Sequence, residues 1–313
     1  MKDSPKILIV GDASMIGSRL VELWPEEWKI EGAGIEPPKR KKISNFFNLD
    51  ITDEEQVKKV LSGTDCKVVV ACSAITDVDG CQREFGNEEG QAFRVNVLGT
   101  KNLARVCKTS DKKLVYFSTD FIFDGKSGPY DEGAKPASSK ERVSWYGWSK
   151  LKGEEAVFES GCKFLIARIA YPYRAIFPPK TDFVRNIMTR LENNNLYPMF
   201  EDQFLTPTFI DDIATALKVA ITQDLGGIYN IVDTTTLSAY EAALTIAQVF
   251  DFDYNQISKS YYEDFKKSNP QTAPRPKKGG LLADKINNEL AKDGKSMKTF
   301  VGALQIFKEQ IKG

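Results

Sequence analysis

Tyr146 and Lys150 stand four residues apart in the run Trp145-Tyr146-Gly147-Trp148-Ser149-Lys150. On a helix, positions i and i+4 share a face, so the phenol and the ammonium would point the same way. A free phenol titrates at about 10, too high for a proton relay near neutrality, and a neighbouring cation favours the phenolate and lowers that value. Upstream, the apolar run Leu114 to Phe117 ends in Ser118-Thr119. A hydroxyl at Thr119 would hold a carbonyl oxygen beside the phenol. Together the three groups form a kit for protonating a carbonyl oxygen while a hydride attacks its carbon.

Spacing alone does not carry that reading. With 11 Tyr in a Lys-rich chain, a Tyr-x-x-x-Lys pair arises by chance about once. A second pair stands at Tyr262 and Lys266. It has no strand or glycine turn around it and reads as a solvated helix face. The first pair differs in what precedes it.

Lys6-Ile7-Leu8-Ile9-Val10-Gly11 reads as a buried strand ending in glycine. Asp12 to Gly17 follows, then a helix with apolar positions at Leu20, Val21, Leu23 and Trp24. Strand, glycine turn and helix is the dinucleotide arrangement, with the pyrophosphate on the helix N-terminus. Gly11 and Gly17 have the spacing of the outer glycines in G-x-x-G-x-x-G, with Ser14 in the middle, where backbone approach is less free. Alone, the pattern reads equally as a plain strand-turn-helix. A second strand covers Trp28 to Ile35. Glu36 lies where an acidic residue takes a ribose 2′-hydroxyl, which favours NAD(H). Lys39-Arg40-Lys41-Lys42 follows and suits a 2′-phosphate, unless it is a solvated loop. The balance leans slightly to NADP(H).

Asn45 to Phe47 reads as a short third strand, and Thr52-x-x-Glu55 as a capping box for a helix ending at Gly63. Lys67 to Ala71 is a continuous apolar strand, as expected where helices cover both faces of a parallel sheet. It leaves through the small residues Ala71-Cys72-Ser73-Ala74, which let a cofactor approach or serve tight packing. Glu88 to Cys107 reads as one long helix interrupted by Asn96, either a surface residue or a buried bridge near the site. Leu114 to Phe117 is the fifth strand, and Ser127 to Val143 a loop near the site mouth. A helix from Tyr146 to Ser160 stops at Gly161, and Lys163 to Ala170 is the sixth strand.

Strands alternating with helices predict an α/β fold, a Rossmann-type doubly wound parallel sheet. Beyond it come a helix over Asp182 to Leu191, an extended piece from Gln203 to Phe209, and a helix over Ile213 to Ile221 capped by Asp211. A strand over Gly227 to Val232 and a capping box at Ser238-x-x-Glu241 follow, with a helix through Phe250. Pro274-Arg275-Pro276 is a rigid extended segment, and Thr299 to Ile311 a last helix. The expected division is a dinucleotide-binding domain over 1–170, with a return of the chain around 204–222, and a smaller C-terminal α/β substrate domain over 171–313. The latter would cover the carboxyl edge of the sheet, where open sheets bind ligands.

Composition narrows the chemistry. Lys plus Arg and Asp plus Glu are each 43, which leaves no electrostatic footprint for nucleic acid or an anionic membrane. Aliphatic runs are strand-length, too short for a membrane span, and the N-terminus lacks a signal-peptide pattern, so a cytoplasmic protein is expected. The 5 Cys include no Cys-x-x-Cys pair, which argues against zinc or a disulfide framework. There is no His, which removes Ser-His-Asp triads, Cys-His pairs and His metal sites. Acid–base work falls to Tyr, Lys, Cys or carboxylates, and no metal is expected.

The chain resembles the extended short-chain dehydrogenase/reductases, and within them the dTDP-4-dehydrorhamnose reductase family, over nearly its whole length. The resemblance rests most on Phe117-Ser118-Thr119-Asp120-Phe121-Ile122-Phe123-Asp124-Gly125, Pro129-Tyr130 and Tyr146-Gly147-x-Ser149-Lys150. Ala74-Ile75-Thr76-x-Val78-Asp79, Asn96, Asp202-Gln203, Pro207-Thr208 and Arg275-Pro276 also match. It implies Tyr146 as general acid, Lys150 as the residue that lowers its pKa and binds the nicotinamide ribose, and Thr119 as ligand of the substrate oxygen. Gly11, Ser14, Met15, Ile16 and Gly17 would hold the cofactor phosphates, Asp50 and Ile51 the adenine, and Ala71, Cys72, Ser73, Ala74 and Asn96 the ribose side. Thr76, Val78, Asp79 and Tyr171 would face the sugar, and Arg275 its nucleotide diphosphate, for which a guanidinium fork is suited.

The implied activity is reduction of a 4-keto nucleotide-linked deoxysugar by NADPH or NADH. One alternative is a nucleotide-sugar epimerase or 4,6-dehydratase. The related dehydratases carry Asp-Glu after the Thr, whereas Phe121 follows Asp120 here. Another is a cofactor-binding partner protein, as the regulatory subunit of methionine adenosyltransferase is among the relatives; the retained Thr, Tyr and Lys favour catalysis. A homodimer is left open.

Overall fold

The computed structural model describes residues 4–37 and 42–312. Its centre is a 7-stranded sheet. Apolar runs make its strands: β1 (Lys6–Val10), β2 (Lys29–Gly34), β3 (Phe46–Asn48), β4 (Val68–Ala71), β5 (Lys113–Thr119) and β6 (Lys163–Ile169). After β6 every strand but one has two residues. β7 (Pro172–Tyr173) pairs with β10 (Thr208–Phe209), β8 (Met199–Phe200) with β13 (Lys259–Ser260), and β9 (Phe204–Leu205) with β12 (Leu237–Ser238). β11 (Gly227–Asn230) then returns to the large sheet beside β6. The order β11-β6-β5-β4-β1-β2-β3, parallel throughout, reverses direction between β1 and β4. That switch point is where open α/β sheets take their ligands.

Two apolar layers explain why the strands read as continuous apolar runs. One face packs α1 (Met15–Leu23) and, from later in the chain, Ile213, Ala216, Leu217 and Ala220 against Ile7, Ile9 and Val70. The other packs Val57 and Leu61 of α2 (Glu54–Gly63) with Leu103 and Cys107 against Leu8, Val10 and Val69. A separate core gathers Tyr173, Phe209, Ile246, Phe300 and Phe307 in the C-terminal lobe.

Several local expectations are corrected. Asp53, not Thr52, caps α2, its carboxylate accepting from Gln56 N at 3.0 Å, while Thr52 donates to Asp50. The single helix over 88–107 is broken. After α3 (Val78–Gln82) come the turn α4 (Gln91–Phe93), a π-helical segment Arg94–Gly99, and α5 (Thr100–Thr109). α6 (Trp145–Ser160) starts on Ser144 and ends in left-handed Gly161, as expected. Beyond α7 (Phe183–Glu192), α8 (Ile210–Thr222) begins at Phe209 without a side-chain cap. Asp211 lies inside it and pairs with Arg19 instead. Ser238 and Glu241 do form a capping box, for α9 (Ala239–Phe250). In α10 (Tyr262–Ser268), Tyr262 is not on a solvated face. It is 7% exposed, and its hydroxyl accepts from Arg275 N.

Candidate active site

The turn after β1 needs glycine at its first position. Gly11 has φ +85, and a Cβ there would sit 2.7 Å from Ser73 Oγ and 2.8 Å from Ser73 N. Ser14, in the place of a middle glycine, has ordinary extended backbone, φ −67. Its hydroxyl caps α1 by accepting from Gly17 N at 3.1 Å. The serine thus satisfies one of the first helical N–H groups, while those of Met15 and Ile16 have no acceptor within the helix. They lie at the positive end of its dipole.

A cleft of about 570 Å³ opens at this point. It has the volume of a cofactor pocket. Gly11, Ser14, Asp50, Ile51, Cys72, Ser73 and Ala74 line it. Burial, with Asp12 adding, pushes the Cys72 thiol well up, so it lines the wall as a small inert group. Ile75, Gln91 and Arg94 also line the cleft and were not foreseen. For Gln91 and Arg94 the cause is the break in the supposed long helix, which local spacing does not reveal. Gly34 and Glu36 border an adjoining cavity of about 250 Å³. Of the basic run, Lys39 to Lys41 lie outside the described residues. Lys42 is engaged by Trp24 O and by Glu26 at 2.9 Å.

Thr119 and Lys150 are buried, Tyr146 is partly buried, and none of the three is among the lining residues of that cleft. Thr119 ends β5, its hydroxyl donates to Asp120 at 3.2 Å, and it acts on the Tyr146 phenol to lower its pKa. Gly147 brings α6 down onto the β5 exit: a Cβ there would lie 2.1 Å from Phe121 O. The Lys150 ammonium sits 4.0 Å from the centre of the Tyr116 ring. The phenol's shift runs opposite to the expected direction. Burial pushes the Tyr146 phenol up, with Thr119 opposing and Asp120 adding to the rise. Burial pushes the Lys150 ammonium down to about 7, with Glu154 opposing. Desolvation dominates both shifts, with the Lys150 ammonium buried and the Tyr146 phenol surrounded by protein although its side chain is only partly buried. Burial also raises the neighbouring Asp120 carboxyl to about 7.

Asn96 joins the cleft to this trio. It is 1% exposed, in the π-helical turn, a device common at functional sites. Its carbonyl oxygen accepts from Ile75 N at 2.9 Å, and its amide donates to Ile75 O at 3.0 Å and Ser149 Oγ at 2.9 Å. Ser149 in turn donates to Tyr146 O at 2.8 Å. The buried reading of Asn96 is therefore the correct one.

Of the expected sugar-side residues, Tyr171 lies against Phe121, whose ring also contacts Tyr146. Tyr171 holds φ +43, an uncommon backbone state for a non-glycine residue. Asp79, in α3 next to Val78, takes Arg275 NH2 at 2.7 Å and Ala273 N at 3.0 Å. Thr76 accepts from Lys180 Nζ at 2.7 Å. Lys180 was not singled out in the sequence. No group of three or more metal-ligating side chains occurs among the described residues, and no helix is long and apolar enough to cross a membrane.

The family profile described as RmlD substrate binding domain matches residues 5–306. The chain belongs to that family. Among its relatives is the probable low-salt glycan biosynthesis reductase Agl14 of Haloferax volcanii, 30% identical over 263 residues, covering 83% of this chain and 84% of that protein. The dTDP-4-dehydrorhamnose reductase of Aggregatibacter actinomycetemcomitans is 26% identical over 248 residues, covering 77% and 78%. The dTDP-4-dehydrorhamnose reductase of Bacillus anthracis, solved in complex with NADP, superposes with a TM-score of 0.81 at 27% identity, covering 98% of this chain and 99% of that one. This RmlD-family chain is thus of the oxidoreductase type, on the extended dehydrogenase/reductase fold.

Proposed function

We propose that the protein reduces the 4-keto group of a nucleotide-linked deoxysugar with a nicotinamide dinucleotide. The observation that carries this is the continuity from the glycine cradle to the Tyr146 segment: Gly11, Ser73, Ile75, Asn96, Ser149 and Tyr146 follow one another through contacts and hydrogen bonds. The cradle fits the cofactor, since Gly11 leaves room that a side chain would fill and α1 presents its N-terminus there. Gly11, Ser14, Met15, Ile16 and Gly17 would hold the phosphates, Asp50 and Ile51 the adenine end, and Ala71, Cys72, Ser73, Ala74 and Asn96 the middle. Bound nicotinamide supplies the hydride.

The chain supplies the rest. Thr119 holds the carbonyl oxygen, Tyr146 gives it a proton, and Lys150, whose ammonium binding of an anionic cofactor would restore, replenishes the charge beside the phenol. Thr76, Val78, Asp79 and Tyr171 bound the sugar, and Arg275 its diphosphate. Glu36 at the side cavity suits a ribose diol and NADH, and the run at 39–41 would suit NADPH, so both forms belong in the assay.

The test is oxidation of NADPH and of NADH with dTDP-4-keto-6-deoxyglucose and its UDP counterpart. Stoichiometric cofactor consumption is expected, and Tyr146→Phe should lower turnover by at least ~10²-fold while cofactor binding stays near normal. A Tyr146→Phe protein that turns over as fast as the parent takes the phenol out of the mechanism.

A further inference from the structure

Arg174 to Arg185 crosses from β7 to α7 as a strap pinned at both ends. At one end, the buried Arg174 guanidinium bonds Met15 O at 3.1 Å, Ser18 Oγ at 2.9 Å and Glu22 at 2.8 Å, fastening the strap to α1. At the other, Arg185 holds Asp182 at 2.7 Å, Phe177 O at 2.7 Å and Lys180 O. Pro178-Pro179 removes further freedom just before Lys180. The backbone of Lys180 is therefore fixed, and its ammonium is held out to Thr76 across the lobe boundary.

Three positions along the same loop of the sheet lobe, Asp79 meets Arg275. Two cations of the C-terminal lobe thus address one loop. Asp79 answers the charge of Arg275. Lys180 faces a neutral hydroxyl and has no carboxylate partner among the described residues. A preorganised ammonium on a neutral partner gains most from an anion, because charge-assisted hydrogen bonds are about twice as strong as neutral ones.

We propose that Lys180 is a substrate-binding residue that joins Arg275 in gripping the diphosphate of the nucleotide-linked sugar, with Thr76 as its resting partner. The inference rests on the function proposed above. On binding, the ammonium leaves the threonine hydroxyl for a phosphate oxygen, and Arg275 shifts part of its fork from Asp79. Neither lobe alone then completes the substrate site. Thr76 is released to face the sugar as the ammonium moves.

The experiment is titration calorimetry of the full chain with dTDP and UDP, and with thymidine and uridine as phosphate-free controls. Lys180→Gln should weaken dTDP or UDP by roughly 10-fold or more, Lys180→Arg should recover part of that, and NADPH affinity should not change. In the reductase assay the same change should appear in KM and not in kcat. Equal weakening of nucleoside and nucleoside diphosphate would show that Lys180 acts through packing and would overturn the inference. A Lys180→Gln protein that binds dTDP and UDP like the parent, while Arg275→Gln does not, overturns it and leaves the reductase reading standing. If the parent chain binds no nucleoside diphosphate and reduces no nucleotide-linked ketosugar, the reading falls and the inference with it.

Discussion

At the Gly11 end of the site the groups around the turn are backbone and small side chains, Gly11, Ser14, Ser73 and Ala74, while the longer Glu89, Gln91 and Arg94 also line the cleft. At the Arg275 end long charged side chains are paired across the lobes, Asp79 with Arg275 and Thr76 with Lys180. The first end is open because its backbone geometry is fixed by the sheet. The second is closed because long side chains find one another across the lobes. The difference separates a preformed site from one whose ligand must replace existing bonds, and affinity at the second end is reduced by what that exchange costs.

The sharpest way to break that contrast is Gly11→Ala. The new methyl must take a left-handed conformation and meet Ser73 within 2.8 Å of its Oγ and N. Dinucleotide affinity should fall by roughly 10- to 100-fold, while dTDP binding at the Arg275 end stays within about 2-fold of the parent. Parallel losses of both ligands, measured by calorimetry, would mean that the two ends are one mechanical unit.

How far the sequence discloses each end follows the same line. The cleft was legible because its causes are local: a strand ending in Gly11, a helix beginning four residues later, and the small residues after Ala71. Lys180 was not, because its meaning depends on Thr76, which lies 104 positions earlier in the chain. Arg275 and Asp79, 196 apart, could be named only through a family resemblance. The capping box at Ser238 was legible and that at Thr52 misread, since Asp53, one residue on, offered an equally good cap. The direction of the Tyr146 shift was missed for a different reason. Spacing discloses that a cation is near in the chain but not how strongly its surroundings desolvate the phenol.

Asn96 is the residue that ties the open end to the proton-donating end, and its removal is the next largest effect. Asn96→Ala forfeits three buried hydrogen bonds and leaves Ile75 and Ser149 without their partner. A stability loss of roughly 2–3 kcal/mol is expected from urea unfolding. Turnover should fall by about 10-fold at saturating cofactor, since misplacement of Tyr146 harms the chemical step more than binding. A drop in stability with unchanged turnover would make Asn96 a structural residue only.

The smallest effect concerns the joint between the two ends. Asp120 leaves β5 beside Thr119, whose hydroxyl donates to its carboxylate at 3.2 Å, and the backbone N–H groups of Phe121 and of Gly280, which belongs to the segment after Arg275, favour its charged form. Burial raises its pKa to about 7, with Thr119 and those N–H groups pulling the other way. Between the unfolded value near 4 and the folded one, the native state holds the extra proton. Its contribution to stability is therefore complete below about pH 4 and lost as the pH rises through about 7. Asp120→Asn keeps an acceptor for the N–H groups and removes the titration. Its unfolding free energy should fall less between pH 5 and pH 8 than that of the parent, by roughly 1–2 kcal/mol. Asp233, which burial also raises to about 7, and the raised Asp182 and Asp212 add slopes of the same sign in both proteins, and Lys150, lowered to about 7, adds one of opposite sign above about pH 7, so the comparison of the two proteins isolates Asp120. Identical slopes in urea titrations of the two proteins would show that Asp120 is ionised throughout, and that water reaches the joint where the two ends of the site meet.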